Sequence, residues 1–100
     1  MEVEFCTKKL EREYRQHQKA EKAYGREVAR RYIERINIIK QAQDIEELVS
    51  LPGLRCHSLK GKREGQYAVN LTGFYRLIFT LRGESLQSVR IEEVSKHYGG

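Results

Sequence analysis

The stretch Leu51–Phe79, LPGLRCHSLKGKREGQYAVNLTGFYRLIF, contains the pattern that decides the fold. It opens on Pro52-Gly53, where proline presets φ and glycine takes turn conformations that other residues avoid. A short alternating segment follows, with Arg55 and His57 on one face and Leu54, Cys56 and Ser58 on the other. Lys60-Gly61-Lys62-Arg63-Glu64-Gly65 reads as a charged loop bounded by glycines. Beyond it Tyr67, Val69 and Leu71 alternate with Gln66, Ala68 and Asn70, the period of a half-buried strand. Thr72-Gly73 turns the chain, and Phe74–Leu81 runs back as a second strand. A two-residue loop would set Val69 against Arg76 and Tyr67 against Ile78. A three-residue loop, Thr72-Gly73-Phe74, instead opposes Leu71 to Tyr75, Val69 to Leu77 and Tyr67 to Phe79. The second register is expected, because it gathers every large apolar residue on one face and leaves Arg76 on the other, beside Asn70.

Toward the N-terminus, Asp44-Ile45-Glu46-Glu47 has the form of a capping box, an acidic cap with glutamate three residues later. It opens a short helical turn that presents Leu48 and Val49 and stops before Pro52. Val28, Ala29, Tyr32, Ile33, Ile36 and Ile39 recur at helical spacing and predict a helix over Arg26–Gln41. Arg30, Arg31, Glu34 and Arg35 fall on its solvated side. Tyr24-Gly25 breaks the pattern, and before it Thr7 can cap a helix from Lys8 to about Gln18 with a thin stripe of Leu10 and Tyr14. His17 lies near that stripe and is expected partly buried. Val3 and Phe5 mark a short first strand. Toward the C-terminus, Arg82-Gly83-Glu84 is a turn, Val89 and Ile91 share one side of a last strand, and Glu92–Gly100 reads as a polar tail. The expected architecture is α+β, a single domain over residues 1–100 with two N-terminal helices packed on a mainly antiparallel sheet.

One hundred residues suffice for one two-layer core and not for two. No run approaches a membrane span, and the acidic N-terminus does not read as a signal peptide, so a cytoplasmic protein is expected. Cys6 and Cys56 match no zinc spacing and are too few for a disulfide framework; both are expected as small buried side chains. The net charge of +5 is unevenly spread. Residues 1–51 carry 11 Lys+Arg against 10 Asp+Glu, and residues 52–100 carry 8 against 4. A basic strand-rich half favours phosphate-bearing partners, through counterion release, although acidic proteins suit it as well.

The residues that carry chemistry resemble a known family. Pro52-Gly53-Leu54-Arg55 is similar to P-G-x-R, and Leu59-Lys60-Gly61 with Gly65-Gln66-Tyr67 is similar to L-K-G-x-x-x-G-Q-Y. Tyr75-Arg76-Leu77-Ile78-Phe79 is similar to W-R-I-x-F, and the Asp44–Leu48 turn precedes them in the same order. These pieces resemble the HigB branch of the RelE-like toxins of bacterial toxin–antitoxin pairs. The resemblance implies a RelE-like fold and a metal-independent endoribonuclease, an mRNA interferase that cuts messenger RNA on the ribosome. It implies no cofactor, and as partners the ribosome, messenger RNA and a HigA-like helix-turn-helix antitoxin, with operator DNA reached only through that antitoxin.

Cleavage of RNA without metal requires four things. The 2′-hydroxyl must lose a proton, the pentavalent phosphate must be stabilised, the leaving 5′-oxygen must gain a proton, and the nucleotide must be held in line. Under the resemblance, Arg76 is the phosphate clamp; the competing reading is a cross-strand pair with a glutamate. Lys60 at a strand end is a second phosphate contact, and His57 and His97 are candidate acid and base. Lys62, Arg63, Lys96 and Tyr98 are expected to bind RNA, Lys62 and Arg63 as solvated loop charges and Tyr98 by stacking on a base. Family members end in a D-Y-H type sequence. Without a gap that motif falls on Glu93, Val94 and Ser95, and two extra residues bring Lys96, His97 and Tyr98 into its place. Two rival functions use the same fold or charge: a ParE-like toxin that binds and poisons DNA gyrase without catalysis, and a basic RNA- or ribosome-binding module.

Overall fold

The computed structural model describes residues 1–96. In chain order the elements are β1 (Glu2–Phe5), α1 (Lys8–Arg15), α2 (His17–Tyr24), α3 (Arg26–Gln41), α4 (Ile45–Ser50), β2 (His57–Ser58), β3 (Gln66–Asn70), β4 (Tyr75–Arg82) and β5 (Ser88–Lys96), with a 3-10 turn at Gly61–Arg63 before β3. The strands form one sheet in the order β1-β5-β4-β3-β2, antiparallel except where β1 runs parallel to β5.

Local chemistry starts and stops these elements where the residue types demand. The Thr7 hydroxyl accepts from the Leu10 N–H at 3.1 Å and caps α1. Asp44 accepts from the Glu47 N–H at 2.9 Å and caps α4. The helix expected over Lys8–Gln18 is instead two helices of eight residues, because Gln16 takes an extended conformation (φ −123°, ψ 100°) between them. The break lets Ala20 and Tyr24 turn onto α3, with the Tyr24 and Tyr32 rings 5.8 Å apart. Gly25, at φ 87°, makes the next reversal, a conformation a side chain would resist. His17 is exposed and lies beside Glu21 at 3.4 Å rather than in the core.

The hairpin has the three-residue loop. Leu71 N–H donates to the Tyr75 carbonyl at 2.9 Å, and Tyr67, Val69 and Asn70 oppose Phe79, Leu77 and Arg76. Val69, Leu71, Leu77, Phe79, Val89 and Ile91 pack against Val28, Tyr32, Ile36 and Ile39 of α3, all buried. The Tyr67 and Phe79 rings stack at 5.7 Å across β3 and β4.

The outer face departs from expectation in two ways. Ile78 lies on it with Arg76, yet is fully buried, as is Ala68 opposite. Arg63 explains this: it donates to Gln66 on β3 at 2.9 Å and to Glu93 on β5 at 2.8 Å, and so crosses β4 over Ile78. The second departure is the length of β5. Phe79 opposes Ile91 but Ile78 opposes Glu93, so Glu92 is the extra residue of a β-bulge. The bulge turns Glu92 and Glu93 both outward and returns Val94 to the core side, and residues 92–96, expected as tail, continue the strand.

Candidate active site

The turn ends of β3 and β4, with the loop into β2, enclose a recess of about 170 Å³ lined by Arg55, His57, Ala68, Val69, Asn70, Thr72, Gly73, Tyr75 and Arg76. Two of these side chains are guanidinium groups, one is an imidazole, and none is a carboxylate. The sheet register sets their separation. His57 opposes Ala68 and Arg76 opposes Asn70, two strands apart and two residues along, which places their Cα atoms roughly 12 Å apart. Both side chains line the one recess, so a single group seated there can meet both.

Arg76 is half-buried, and its Nε is buried with no hydrogen-bond partner among the described residues. Its cross-strand neighbours, Asn70 and Ser95, carry no charge. The two glutamates of the bulge are engaged elsewhere, Glu92 by Arg90 and Thr80 at 2.7 Å each and Glu93 by Arg63. Burial alone would push the Glu92 carboxyl up, but these hydrogen bonds from Arg90 and Thr80 outweigh it and hold the group below the usual carboxylate range. A partly desolvated guanidinium without a counterion is costly, and an arriving anion relieves that cost.

His57 is exposed, and its Nδ1 lies 2.7 Å from the Arg55 carbonyl. A carbonyl only accepts, so Nδ1 carries the hydrogen and the neutral ring presents an unprotonated Nε2. Arg55 itself sits at φ 52°, a left-handed conformation that costs a non-glycine residue about 1–2 kcal/mol. Sequence reasoning did not select Arg55 as a site residue; the P-G-x-R match was the signal available.

Charge is distributed so as to leave this end positive. Arg82 faces Glu4 at 3.9 Å, Arg90 holds Glu92 and Arg63 holds Glu93. Among the described residues, Arg55, Arg76 and Lys96 at this end make no ion pair, nor do Lys60 and Lys62 at the far end of β3. Phe74, at the tip of the β3–β4 turn between two residues that line the recess, is 67% exposed.

A family model for the RelE-like toxin of the type II toxin–antitoxin system HigB matches residues 3–92. This chain belongs to the HigB-like toxins. Three solved structures show its fold. The YoeB/ParE toxin from Agrobacterium tumefaciens has a TM-score of 0.66 at 16% identity, covering 98% of this chain and 100% of that one. The YoeB-YefM complex from Staphylococcus aureus has a TM-score of 0.63 at 15% identity, covering 98% of each chain. The DinJ-YafQ complex from E. coli has a TM-score of 0.58 at 17% identity, again covering 98% of each. No curated protein matches the sequence.

Within this HigB-like toxin the expected site residues divide by position. Arg76 and His57 share the recess. Lys60 is exposed at the start of the 3-10 turn and does not line it, and Lys62 beside it is exposed as well. Arg63, expected as a solvated loop charge, is bound to Glu93 and Gln66. Lys96 ends β5 opposite Tyr75, its Nζ 5.8 Å from that ring, which places it at the rim. His97 and Tyr98 lie outside the described residues. Of the ungapped motif positions, Glu93 is paired to Arg63, Val94 packs on the core, and Ser95 opposes Arg76. Arg35, expected on a solvated helix face, is buried and donates to the Asn70 carbonyl at 3.1 Å. Cys56 is buried as expected, whereas Cys6 is exposed; both are free thiols.

Proposed function

We propose that this toxin is an endoribonuclease that cuts messenger RNA on the ribosome and has little activity on free RNA. The observation that carries the reading is the recess itself, where Arg55, His57 and Arg76 converge with no carboxylate in its lining. Arg76 receives the non-bridging oxygens of the scissile phosphate through its guanidinium, and Arg55 adds a second positive contact. His57 Nε2, unprotonated, takes the proton from the ribose 2′-hydroxyl. The 2′-oxygen attacks phosphorus, the P–O5′ bond breaks, and the products are a 2′,3′-cyclic phosphate and a 5′-hydroxyl. A proton donor is required for the leaving oxygen, and His97, which follows Lys96 in sequence, is assigned that role. Phe74 offers an exposed ring at the same rim, where a base can stack while the phosphate is held.

The partner assigned is an antitoxin of the HigA-like helix-turn-helix class. Support comes from family membership and from two solved relatives that are complexes with a second protein. The deciding experiment expresses the toxin alone in a bacterial cell and maps messenger-RNA 5′ ends. New 5′-hydroxyl ends confined to translated frames are expected. Intact transcripts with blocked DNA supercoiling would overturn the reading in favour of a gyrase poison.

A further inference from the structure

The recess is held in shape by a run of hydrogen bonds that starts inside the protein. Arg35, buried on α3, donates from Nε to the backbone carbonyl of Asn70 at 3.1 Å. Asn70 in turn donates its backbone N–H to the Leu54 carbonyl at 2.9 Å. Its carboxamide nitrogen, in the orientation that satisfies its neighbours, donates to the Leu54 and Gly53 carbonyls, both at 2.9 Å. The next residue is Arg55, at φ 52°, and its carbonyl accepts from His57 Nδ1 at 2.7 Å.

A left-handed arginine does not persist without something to hold it. Pro52 and Gly53 bend the chain, but neither points the Arg55 carbonyl toward an imidazole two residues on. The three hydrogen bonds from Asn70 fix the peptides on the N-terminal side of Arg55, and this leaves its φ and ψ as the adjustment that aims its carbonyl at His57. Free neutral imidazole favours the tautomer with hydrogen on Nε2, and here that preference is reversed.

We propose that Asn70 is a positioning residue: by clasping the Gly53 and Leu54 carbonyls it holds Arg55 left-handed and His57 in the Nδ1–H tautomer, with Nε2 turned to the substrate. The proposal deepens the ribonuclease reading, but its first readout does not depend on cleavage. Nitrogen-15 NMR of the imidazole at about pH 8, where histidine is ordinarily neutral, reports which ring nitrogen carries hydrogen. Wild type is expected to show Nδ1–H. Asn70→Ala is expected to revert toward Nε2–H with its melting temperature still cooperative. Asn70→Ser keeps one donor and should retain part of the wild-type tautomer. Asn70→Asp, which keeps the shape and loses the donors, should revert as fully as alanine.

Single-turnover cleavage on programmed ribosomes gives the second readout. The chemical step should slow by up to about a hundredfold in Asn70→Ala, with substrate affinity little changed, and recover in part in Asn70→Ser. An Nδ1–H tautomer that survives Asn70→Ala overturns the positioning role. A tautomer that shifts as expected in a protein that cuts no RNA leaves the positioning in place and overturns the ribonuclease reading alone.

Discussion

Arg63 and Glu93 flank β4 and join across it at 2.8 Å, so that an ion pair lies over the buried Ile78. The pair covers an apolar side chain on the sheet face that carries no helix. It also removes from service the glutamate that the ungapped family motif would make an acid or base. Both side chains are partly exposed, and such pairs contribute about 1 kcal/mol or less. Glu93→Gln should therefore lower the melting temperature slightly at low salt, less at high salt, and leave cleavage at the wild-type level. A loss of cleavage with an unchanged melt would assign the chemistry to Glu93.

Arg76 is expected to carry the largest single effect. Under the proposed mechanism Arg76→Ala removes a transition-state charge contact, typically about 3 kcal/mol or on the order of a hundredfold in rate. Its buried Nε has no partner among the described residues, so truncation leaves no stranded acceptor and the melting temperature should hold. Arg76→Lys keeps the charge but not the planar fork and should recover only part of the rate. Wild-type cleavage by the alanine variant would make Arg76 a packing residue.

Arg55 and Lys60 separate by position, and a pair of variants separates them by function. Arg55→Gly relieves the left-handed backbone, worth about 1 kcal/mol after the glycine's own entropy is set against it, while deleting a charge from the recess. Stability should stay level or rise as cleavage falls. Lys60→Ala, outside the recess, should weaken ribosome binding modestly and leave the chemical step alone. Melting curves beside single-turnover rates make the comparison, and the reverse ranking would restore Lys60 to the centre.

How much of this was legible follows from which forces act locally. The β3–β4 register was readable because a one-residue slip would set Arg76 against Val69 in the core, a penalty visible in the letters themselves. The Asp44 and Thr7 caps were readable because each is a contact three residues long. The continuation of β5 beyond Ile91 was not, since the bulge spaces Ile91 and Val94 three apart and breaks the period that identifies a strand. Arg35 looked solvated because arginine is mostly exposed; the carbonyl that receives it lies 35 residues away. The left-handed Arg55 was hidden for the same reason: the Asn70 that bonds to the two preceding carbonyls is distant in sequence, and no local residue type announces the conformation.

Alkaline pH probes the core beside the recess. Burial pushes the Cys56 thiol up to about 11, whereas in the unfolded chain it ionises near its ordinary value of about 8.5. Between those values the unfolded state holds fewer protons than the folded one, so stability falls as pH rises through that window. Burial raises Tyr24 and Tyr32 as well, and they act in the same direction at higher pH. Cys56→Ala should flatten the earlier part of the decline in a denaturant series, with the later part unchanged. At neutral pH the exposed Cys6 should alkylate first, with Cys56 reacting only on unfolding. Equal reactivity of the two thiols in the folded protein would contradict the burial of Cys56.

Phe74 tests whether RNA is held at this rim by stacking. An exposed phenylalanine at a turn tip adds nothing to the core, so Phe74→Ala should not lower the melting temperature. If its ring carries a base, the variant should lose about 1–3 kcal/mol of binding to an RNA-programmed ribosome, in the range of alanine substitutions at stacking platforms. Phe74→Tyr should retain the interaction, and Phe74→Leu, apolar but without a π-face, should not. A fluorescent base analogue at the cleavage site would report stacking directly, through quenching in wild type that disappears in the leucine variant. If leucine binds and quenches as phenylalanine does, the residue acts through apolar contact alone, and base stacking at this rim is wrong. If all three variants bind as wild type does, Phe74 takes no part in holding RNA, and its exposed ring is left to contact the antitoxin or nothing.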